Sequence, residues 1–102
     1  MKRREKIYIS GPITGTDDYM ERFEEAEKEM MAAGYIVINP AKVNKQLPLP
    51  PYTSYEQYMK MSLVMMSDAD EIYMMRGWER SKGARLEYEY ASAMGKVIRK
   101  QY

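Results

Sequence analysis

The chain contains no cysteine and no histidine among its 102 residues. Without cysteine there can be no disulfide, no thiolate metal site and no thiol nucleophile, and without histidine the commonest general base and metal ligand are missing. Any acid–base or nucleophilic chemistry must therefore use carboxylates, hydroxyls, lysine or tyrosine, which suits glycosyl chemistry because it runs on carboxylates. We expect neither a metal nor another cofactor.

An excess of charge and long apolar runs are absent as well. Lys and Arg total 16 against 15 Asp and Glu, and only the tripeptide Lys2-Arg3-Arg4 forms a basic cluster, so nothing indicates a nucleic acid polymer as partner. No apolar run approaches the roughly 18 residues of a membrane span, and no signal-peptide pattern is present. We expect no membrane partner, a cytoplasmic location and a single domain over residues 1–102.

Strand and helix patterns alternate along the chain, which is typical of a parallel sheet with right-handed crossovers. Apolar residues at helical spacing mark three helices, and short apolar runs mark four buried strands. A proline-rich stretch without periodicity marks a long loop before the second helix. The predicted order is strand Lys6–Ser10, helix from Thr16 or Asp17 to Ala33, strand Tyr35–Asn39, loop Ala41–Thr53, helix from the Ser54 capping box, strand Ile72–Met75, helix Ser81–Met94 and strand Lys96–Arg99.

These elements predict an α/β fold, a small doubly wound and Rossmann-like sheet with strand order 2-1-3-4 and helices on both faces. The chain reverses direction between the first and third strands, and ligands of such sheets bind at the carboxyl ends of the strands at that point. We expect the turn Gly11–Gly15, the loop Gly77–Gly83 and the inner faces of the second and third helices to line this crevice.

The segment 77–91 carries the strongest functional signal. Ser81 is placed to cap a helix, and Gly83 leaves the N–H groups of the first turn accessible, which together suit a phosphate. Glu87 shares a helical stripe with Ala84 and Ala91, so a carboxylate lies on the packed face just behind this anion site. A buried Glu paired with Arg or Lys, or one that reaches water at the edge of the stripe, would fit the same pattern.

A second motif, Gly11-Pro12-Ile13-Thr14-Gly15, follows the first strand. Two glycines around a turn at the end of a strand allow the backbone to approach a ligand closely. The spacing is neither that of a dinucleotide fingerprint nor that of a P-loop, and a plain turn would use the same residues. The motif therefore gains meaning only together with the segment 77–91.

Together the two motifs resemble the nucleoside 2-deoxyribosyltransferase-like superfamily, which includes the 2′-deoxynucleoside 5′-phosphate N-hydrolases. The resemblance extends from Lys6 to about Val97. It is greatest for small phage and bacterial members of unassigned activity, whose pattern Gly-Pro-Ile-x-Gly and Gly-Trp-Glu-x-Ser-x-Gly-Ala-x-x-Glu is almost unaltered here. It implies hydrolysis of the N-glycosidic bond of a (deoxy)nucleoside 5′-monophosphate. The alternatives are a deoxyribosyl transferase between bases and a non-catalytic nucleotide sensor.

The resemblance also implies roles for single residues. Glu87 matches the nucleophile that attacks C1′ of the sugar, and Tyr8 matches a tyrosine that orients this glutamate, although a core aromatic would occupy the same position. Ser62 stands where an aspartate usually protonates the departing base, and a serine hydroxyl cannot act as an acid near pH 7. The implied substrate-binding residues are Gly11, Pro12, Thr14, Gly15, Trp78, Ser81 and Gly83.

Three of these positions leave open questions. The N-hydrolases have a serine and an arginine in the first turn, where this chain has Pro12 and Thr14, so one charged contact to an anion would be lost there. Trp78 lies in the site loop and is placed to stack on a base or a partner subunit, or to pack beneath the loop.

The chain is rich in methionine and tyrosine, with 11 and 10 residues. The second helix carries an additional apolar ridge of Met61, Val64 and Met65 opposite its first. Because a helix that is apolar on both sides is buried on both sides, and a domain this small cannot cover both, we expect a homodimer or a higher homo-oligomer.

Overall fold

The computed structural model describes residues 4–13, 15–48 and 52–101. Over these residues the chain forms a four-stranded parallel sheet in the order β2-β1-β3-β4, which confirms the predicted α/β fold and strand order. The strands are β1 (Lys6–Ser10), β2 (Ile36–Ile38), β3 (Glu71–Met74) and β4 (Val97–Lys100). The helices are α1 (Tyr19–Ala32), α2 (Pro40–Asn44), α3 (Tyr55–Ser67) and α4 (Lys82–Ala93).

The central strand β1 separates two hydrophobic layers. Its register pairs Ile7 with both Val37 of β2 and Glu71 of β3. Because side chains alternate along a strand, Ile7 and Ile9 face one layer whereas Tyr8 and Ser10 face the other. This alternation places the two hydroxyl-bearing residues of β1 on the same side of the sheet.

The helices divide between the two faces as predicted. Phe23 and Ala26 of α1 and Ala41 of α2 pack with Ile7 and Ile9 on one side. On the other side lie α3 and α4, and their buried residues include Met66, Ala84 and Ala91. None of the helices formed by the described residues is long and apolar enough to cross a membrane.

The first helix begins later than the sequence pattern indicates. We predict a start at Thr16 or Asp17, and this is wrong because α1 starts at Tyr19. The N–H and the hydroxyl of Thr16 both donate to the carbonyl oxygen of Ile13, at 3.2 and 2.9 Å, and so close a turn before the helix. The side chain of Asp18 makes no capping hydrogen bond and pairs instead with Arg22.

The loop expected over residues 41–53 is partly helical, so that prediction is wrong for the residues of α2. Asn39 caps this helix, since its side-chain oxygen accepts a hydrogen bond of 3.0 Å from the N–H of Ala41. Pro40 occupies the first helical position, where the missing N–H of proline has no cost. The same cap ends β2 at Ile38, one residue earlier than predicted.

The helices on the other face begin with side-chain caps. At α3 the predicted capping box is present: Ser54 accepts from the N–H of Gln57 at 3.1 Å, and the Gln57 side chain accepts from the N–H of Ser54 at 2.7 Å. At α4 the hydroxyl of Ser81 accepts from the N–H of Ala84 at 3.2 Å. A 3₁₀ turn, Trp78–Arg80, precedes this cap and was not indicated by the sequence pattern.

Candidate active site

A buried carboxylate on α4 is held by two hydroxyl groups of β1. Glu87 is only 7% exposed. The hydroxyl of Tyr8 donates to its Oε2 at 2.6 Å, and the hydroxyl of Ser10 donates to its Oε1 at 2.6 Å. Both oxygens of the carboxylate therefore receive a short hydrogen bond from the same strand, which fixes the plane of the group.

Ser62 of α3 completes this cluster from the neighbouring helix. It is buried, and its hydroxyl lies near enough to Glu87 and Tyr8 to lower the pKa of both groups. No residue of the described part of the chain forms an ion pair with Glu87. The alternative of a Glu paired with Arg or Lys therefore does not hold among the described residues.

The electrostatics of this cluster follow from its burial. Burial raises the pKa of Glu87 above its ordinary value of 4.5, while the hydrogen bonds from Ser10, Tyr8 and Ser62 act in the opposite direction. Burial and the negative charge of Glu87 raise the pKa of Tyr8 well above 10.0. Tyr8 is consequently a neutral donor at every physiological pH, and Glu87 is a carboxylate that is more basic than a solvated one.

Glu87 opens onto a cavity of about 260 Å³. One wall carries the side chains of Tyr55, Tyr58, Met59 and Ser62, which all belong to α3. The mouth is bordered by Gly11 after β1 and by Ser81 and Gly83 at the start of α4. Aromatic walls around one carboxylate match the general composition of small-ligand sites, in which a few polar groups converge in a mostly apolar pocket.

Asn44, at the end of α2, also lines the Glu87 cavity. Its Oδ1 is a buried acceptor without a hydrogen-bond partner among the described residues. Buried polar groups are normally paired, so this oxygen is available to a donor group of a ligand.

A second and larger cavity, of about 720 Å³, adjoins the first and shares Tyr55, Ser81 and Gly83 with it. Its charged lining consists of four cations and one carboxylate: Arg22, Arg76, Arg80, Lys82 and Asp18. We refer to it as the basic cavity. The N-terminus of α4 thus lies at the junction between the tyrosine-lined cavity, onto which Glu87 opens, and a positively charged one.

The arginine of α1 reaches the turn that follows β1. Nη2 of Arg22 donates to the carbonyl oxygen of Pro12 at 3.1 Å, and Nε of Arg22 bonds to Asp18 at 3.0 Å. Pro12 itself lines the basic cavity. A cation is therefore present beside this turn even though the turn has no arginine of its own.

Gly11 of the first motif and Gly83 of the second are glycines for different reasons. A Cβ atom on Gly11 would lie 2.9 Å from Cβ of Met75, so packing against β3 already excludes a side chain there. A Cβ atom on Gly83 would meet Met59 and Tyr55 at 3.5 and 3.6 Å, which is ordinary contact. Packing therefore explains why position 11 is a glycine. At position 83 packing does not require a glycine, and the space beside it is open to a ligand.

Two of the implied substrate-binding residues, Gly15 and Trp78, line neither cavity, and the structure does not describe a third. Thr14 lies outside the described residues. Gly15 has a φ of +81° and serves the turn, and it borders neither of the two cavities. Trp78 stacks on Tyr88 with ring centroids 4.7 Å apart, so among the described residues it packs beneath the loop and lines neither cavity.

A family model matches residues 5–100, which is nearly the whole chain. The chain belongs to the family described as "Domain of unknown function (DUF4406)". No curated protein matches it.

Among solved structures, this DUF4406 chain is similar to the "2-desoxiribosyltransferase from Leishmania mexicana". The identity is 23% and the TM-score 0.67, over 94% of this chain and 63% of that one. The DUF4406 chain thus has the deoxyribosyltransferase-like fold and spans less than two thirds of the longer chain. Of the described DUF4406 residues, no three Asp or Glu form a group that could hold a metal ion.

Sequence reasoning missed several residues of this DUF4406 site. Ser10 had a usable signal, because it follows Tyr8 by two residues and must share its face of the strand. Arg80 and Lys82 flank the capping serine directly and could have been found at the same step. Asn44 and Arg22 gave no signal, since their positions depend on the unpredicted α2 and on tertiary packing.

Proposed function

We propose that this chain hydrolyses the N-glycosidic bond of a (deoxy)nucleoside 5′-monophosphate, with Glu87 as nucleophile. One observation carries the proposal: a buried carboxylate that pairs with no cation of the described residues faces a cavity and is oriented through both oxygens by hydroxyl groups. A cationic partner would lower the nucleophilicity of Glu87, whereas neutral hydroxyl donors position it and leave lone pairs for attack.

The reaction proceeds in two displacements. An oxygen of Glu87 attacks C1′ while the C1′–N bond breaks, and its electron pair leaves with the base, which takes a proton from water. Water then attacks C1′ of the glycosyl–enzyme, loses a proton, and returns the carboxylate. One water is consumed for each base and sugar phosphate released. The negative charge of Glu87 stabilises the oxocarbenium-like transition state.

The phosphate of the substrate is assigned to the start of α4. Gly83 precedes Glu87 by four residues, which is about 6 Å along the helix and comparable to the length of a sugar 5-phosphate. The first N–H groups of a helix have no intrahelical partner and favour an anion. Arg22, held beside Pro12, adds a cation near this turn, and Asp18 offsets part of its charge.

A non-catalytic nucleotide sensor is the second candidate. Glu87 is the only carboxylate among the described residues that line its cavity, whereas retaining glycosidases use a pair of carboxyl groups. Ser62 occupies the place of the usual acid and cannot protonate a departing base. General acid catalysis contributes roughly 10²–10⁴-fold, so its loss favours either a slow hydrolase or a binding protein. Deoxyribosyl transfer between bases is a third candidate and needs the same nucleophile.

We also propose that the chain acts as a homodimer or a higher homo-oligomer. On α3, Val64 is 70% exposed and Met61 is 36% exposed, whereas Met65, the third residue of the predicted ridge, packs against the core. Met61 and Val64 remain as the uncovered part of the ridge. A second copy of this chain would remove this ridge from water.

The deciding experiment compares Glu87→Gln with the wild type on a panel of ribo- and deoxyribonucleoside monophosphates, with free base detected by chromatography. We expect base release by the wild type and none by the variant, while nucleotide affinity stays within about tenfold, roughly 1.4 kcal/mol. Glu89→Gln is the matched control, because Glu89 is exposed on the same helix. Undiminished release by Glu87→Gln would remove Glu87 as the nucleophile.

A further inference from the structure

We propose that the basic cavity takes a nucleotide with at least two phosphates, the second being bound by Arg80 and Lys82. This inference rests on the proposed function for its nucleotide ligand. It extends that function from a monophosphate to a diphosphate as the preferred ligand of the site.

The first argument is the position of the basic cavity. The 5′-phosphate assigned to Ser81 and Gly83 would lie where the two cavities meet, because both residues line both of them. Beyond this point the basic cavity extends for about 720 Å³, against about 260 Å³ on the Glu87 side. A monophosphate would therefore end at the junction, whereas a second phosphate would enter the larger space.

The second argument is the charge of this space. Of the charged residues that line the basic cavity, Arg22 pairs with Asp18, whereas Arg80 and Lys82 form no ion pair within the described part of the chain. In the proposed function the N–H groups at the start of α4 bind the first phosphate, so Arg80 and Lys82 are left without a counter-charge of their own. A diphosphate adds a further negative charge and brings the site closer to balance. Arg22 is already offset by Asp18 at 3.0 Å, so the second phosphate is assigned to Arg80 and Lys82.

The third argument concerns the two residues that flank the capping serine. Within the described part of the chain neither Arg80 nor Lys82 forms an ion pair. The ammonium group of Lys82 lies 5.4 Å from the ring centroid of Tyr55, which holds it at the border of both cavities. Two like charges at one cavity, such as those of Arg80 and Lys82, repel each other, and a multivalent anion between them removes this repulsion.

The backbone of Gly77 keeps Arg80 at the cavity. Gly77 has a φ of +89°, and a Cβ atom there would lie 3.4 Å from Nη2 of Arg80. The positive φ would strain any L side chain at position 77, whereas the contact with the guanidinium group would be an ordinary one. The glycine thus lets the 3₁₀ turn present Arg80 to the same space that Lys82 borders.

Calorimetry with matched mono- and diphosphates of the four common deoxynucleosides tests this inference. The titrations use the wild type and, to prevent turnover during the measurement, Glu87→Gln. We expect at least one diphosphate to bind about tenfold or more tightly than its monophosphate, since one added charge-assisted contact accounts for a factor of this size. Arg80→Gln and Lys82→Gln should each remove most of this preference.

Arg85→Gln is the matched control. Arg85 is exposed on α4, donates to the carbonyl oxygen of Glu79 at 3.0 Å, and lines neither cavity, so its loss should leave the preference intact. The preference should also shrink as salt rises from about 0.05 to 0.5 M, because exposed charges are screened.

The outcomes separate the two proposals. Equal affinity for mono- and diphosphates in the wild type overturns this inference, and so does a preference that survives both Arg80→Gln and Lys82→Gln. Base release from a monophosphate is measured independently, so hydrolysis without a diphosphate preference overturns this inference alone. A diphosphate preference without any base release supports it and overturns hydrolysis. Failure of every nucleotide to bind overturns both.

Discussion

The hydroxyl of Tyr8 and Oε2 of Glu87 lie 2.6 Å apart, on a strand and a helix separated by 79 positions in the chain. Burial raises the pKa of both groups, with opposite consequences for their charge. Tyr8 keeps its proton and remains a donor, whereas Glu87 holds its proton to higher pH than a solvated glutamate does. The hydrogen bond between them is what keeps an ionised Glu87 tolerable inside the fold.

Replacing Tyr8 with Phe should shift the pH dependence of base release upward. The variant removes one of the donors that lower the pKa of Glu87, so a higher pH is needed to ionise the nucleophile. A hydrogen bond to a charged group contributes roughly 1.5–3 kcal/mol, so turnover near neutral pH should fall by about 10- to 100-fold. The measurement is a pH–rate profile by chromatography of the free base.

Tyr73→Phe is the control for this change. Tyr73 is also a buried tyrosine in the sheet, but it faces the other layer, and its hydroxyl bonds to Glu29 at 3.4 Å. Removal of the Tyr73 hydroxyl should leave the pH–rate profile of base release unchanged. An unshifted profile in Tyr8→Phe, with a normal fold by circular dichroism, would mean that Tyr8 does not tune Glu87.

Ser62→Asp should raise turnover if the missing acid limits this protein. A carboxyl group beside the buried Glu87 would hold its own proton to higher pH, because two adjacent carboxylates cannot both ionise easily. It could then protonate the departing base, an effect of roughly 10²–10⁴-fold in other enzymes. Ser62→Asn is the matched control of similar size without an acidic proton. No gain in an Asp variant that still folds and binds nucleotide would support the sensor instead.

Glu87→Gln should stabilise the fold at neutral pH by an amount that grows with pH. The pKa of Glu87 is raised from 4.5, so the folded state binds this proton more tightly than the unfolded state does. Its contribution to stability is fully present below the unfolded pKa and is lost as pH rises through the folded pKa. Gln mimics the protonated form of Glu87, so the variant loses no stability as the pH rises between these two pKa values.

The measurement for this prediction is urea unfolding of both proteins at several pH values from about 4 to 8, where one pKa unit corresponds to about 1.4 kcal/mol. Glu89→Gln, exposed on the same helix, should follow the wild type. A stability difference that does not vary with pH would contradict the assignment of a raised pKa to Glu87.

The fold could be predicted from the sequence because its signals are local. Apolar strands and capped helices fix the element order, and the order predicts the sheet and the crevice at β1 and β3. The pair of Tyr8 and Glu87 could be proposed only through a family resemblance, since no local rule joins two residues so distant in the chain. Ser10 was within reach of the two-residue period of a strand.

The remainder of the site depends on features that the sequence pattern does not contain. Asn44 lines the Glu87 cavity because α2 forms where a loop was expected, and that helix depends on the cap at Asn39. Arg22 contacts Pro12 only because α1 starts three residues after Thr16 and places this arginine beside the turn. Such contacts come from the packing of whole elements, to which a pattern of apolar residues is insensitive.

Val64→Asp should convert the proposed oligomer into monomers. A charge on the exposed ridge of α3 would have to be desolvated in any interface formed there, which costs several kcal/mol. Light scattering after gel filtration gives the mass of each species. Met31→Asp is the control, because Met31 is 58% exposed on α1, on the other face of the sheet. Unchanged mass in Val64→Asp would place the interface elsewhere or show that the wild type is a monomer.

Gly83→Val should remove the preference for a nucleotide over its nucleoside. If the start of α4 holds a phosphate, two or three charge-assisted hydrogen bonds give the nucleotide at least about a tenfold advantage. A Cβ atom alone fits at position 83, but the branches of valine would extend into the space shared by the two cavities.

Gly83→Ala is the graded control. Because alanine suits a helix better than glycine, this variant should raise the stability of the fold by up to about 1 kcal/mol, and it should weaken phosphate binding less than valine does. Calorimetry with adenosine and its 5′-monophosphate, and their deoxy forms, measures the preference in all three proteins. Equal affinity for nucleotide and nucleoside in the wild type would mean that Ser81 only caps the helix, and that the ligand of the Glu87 cavity is a nucleoside.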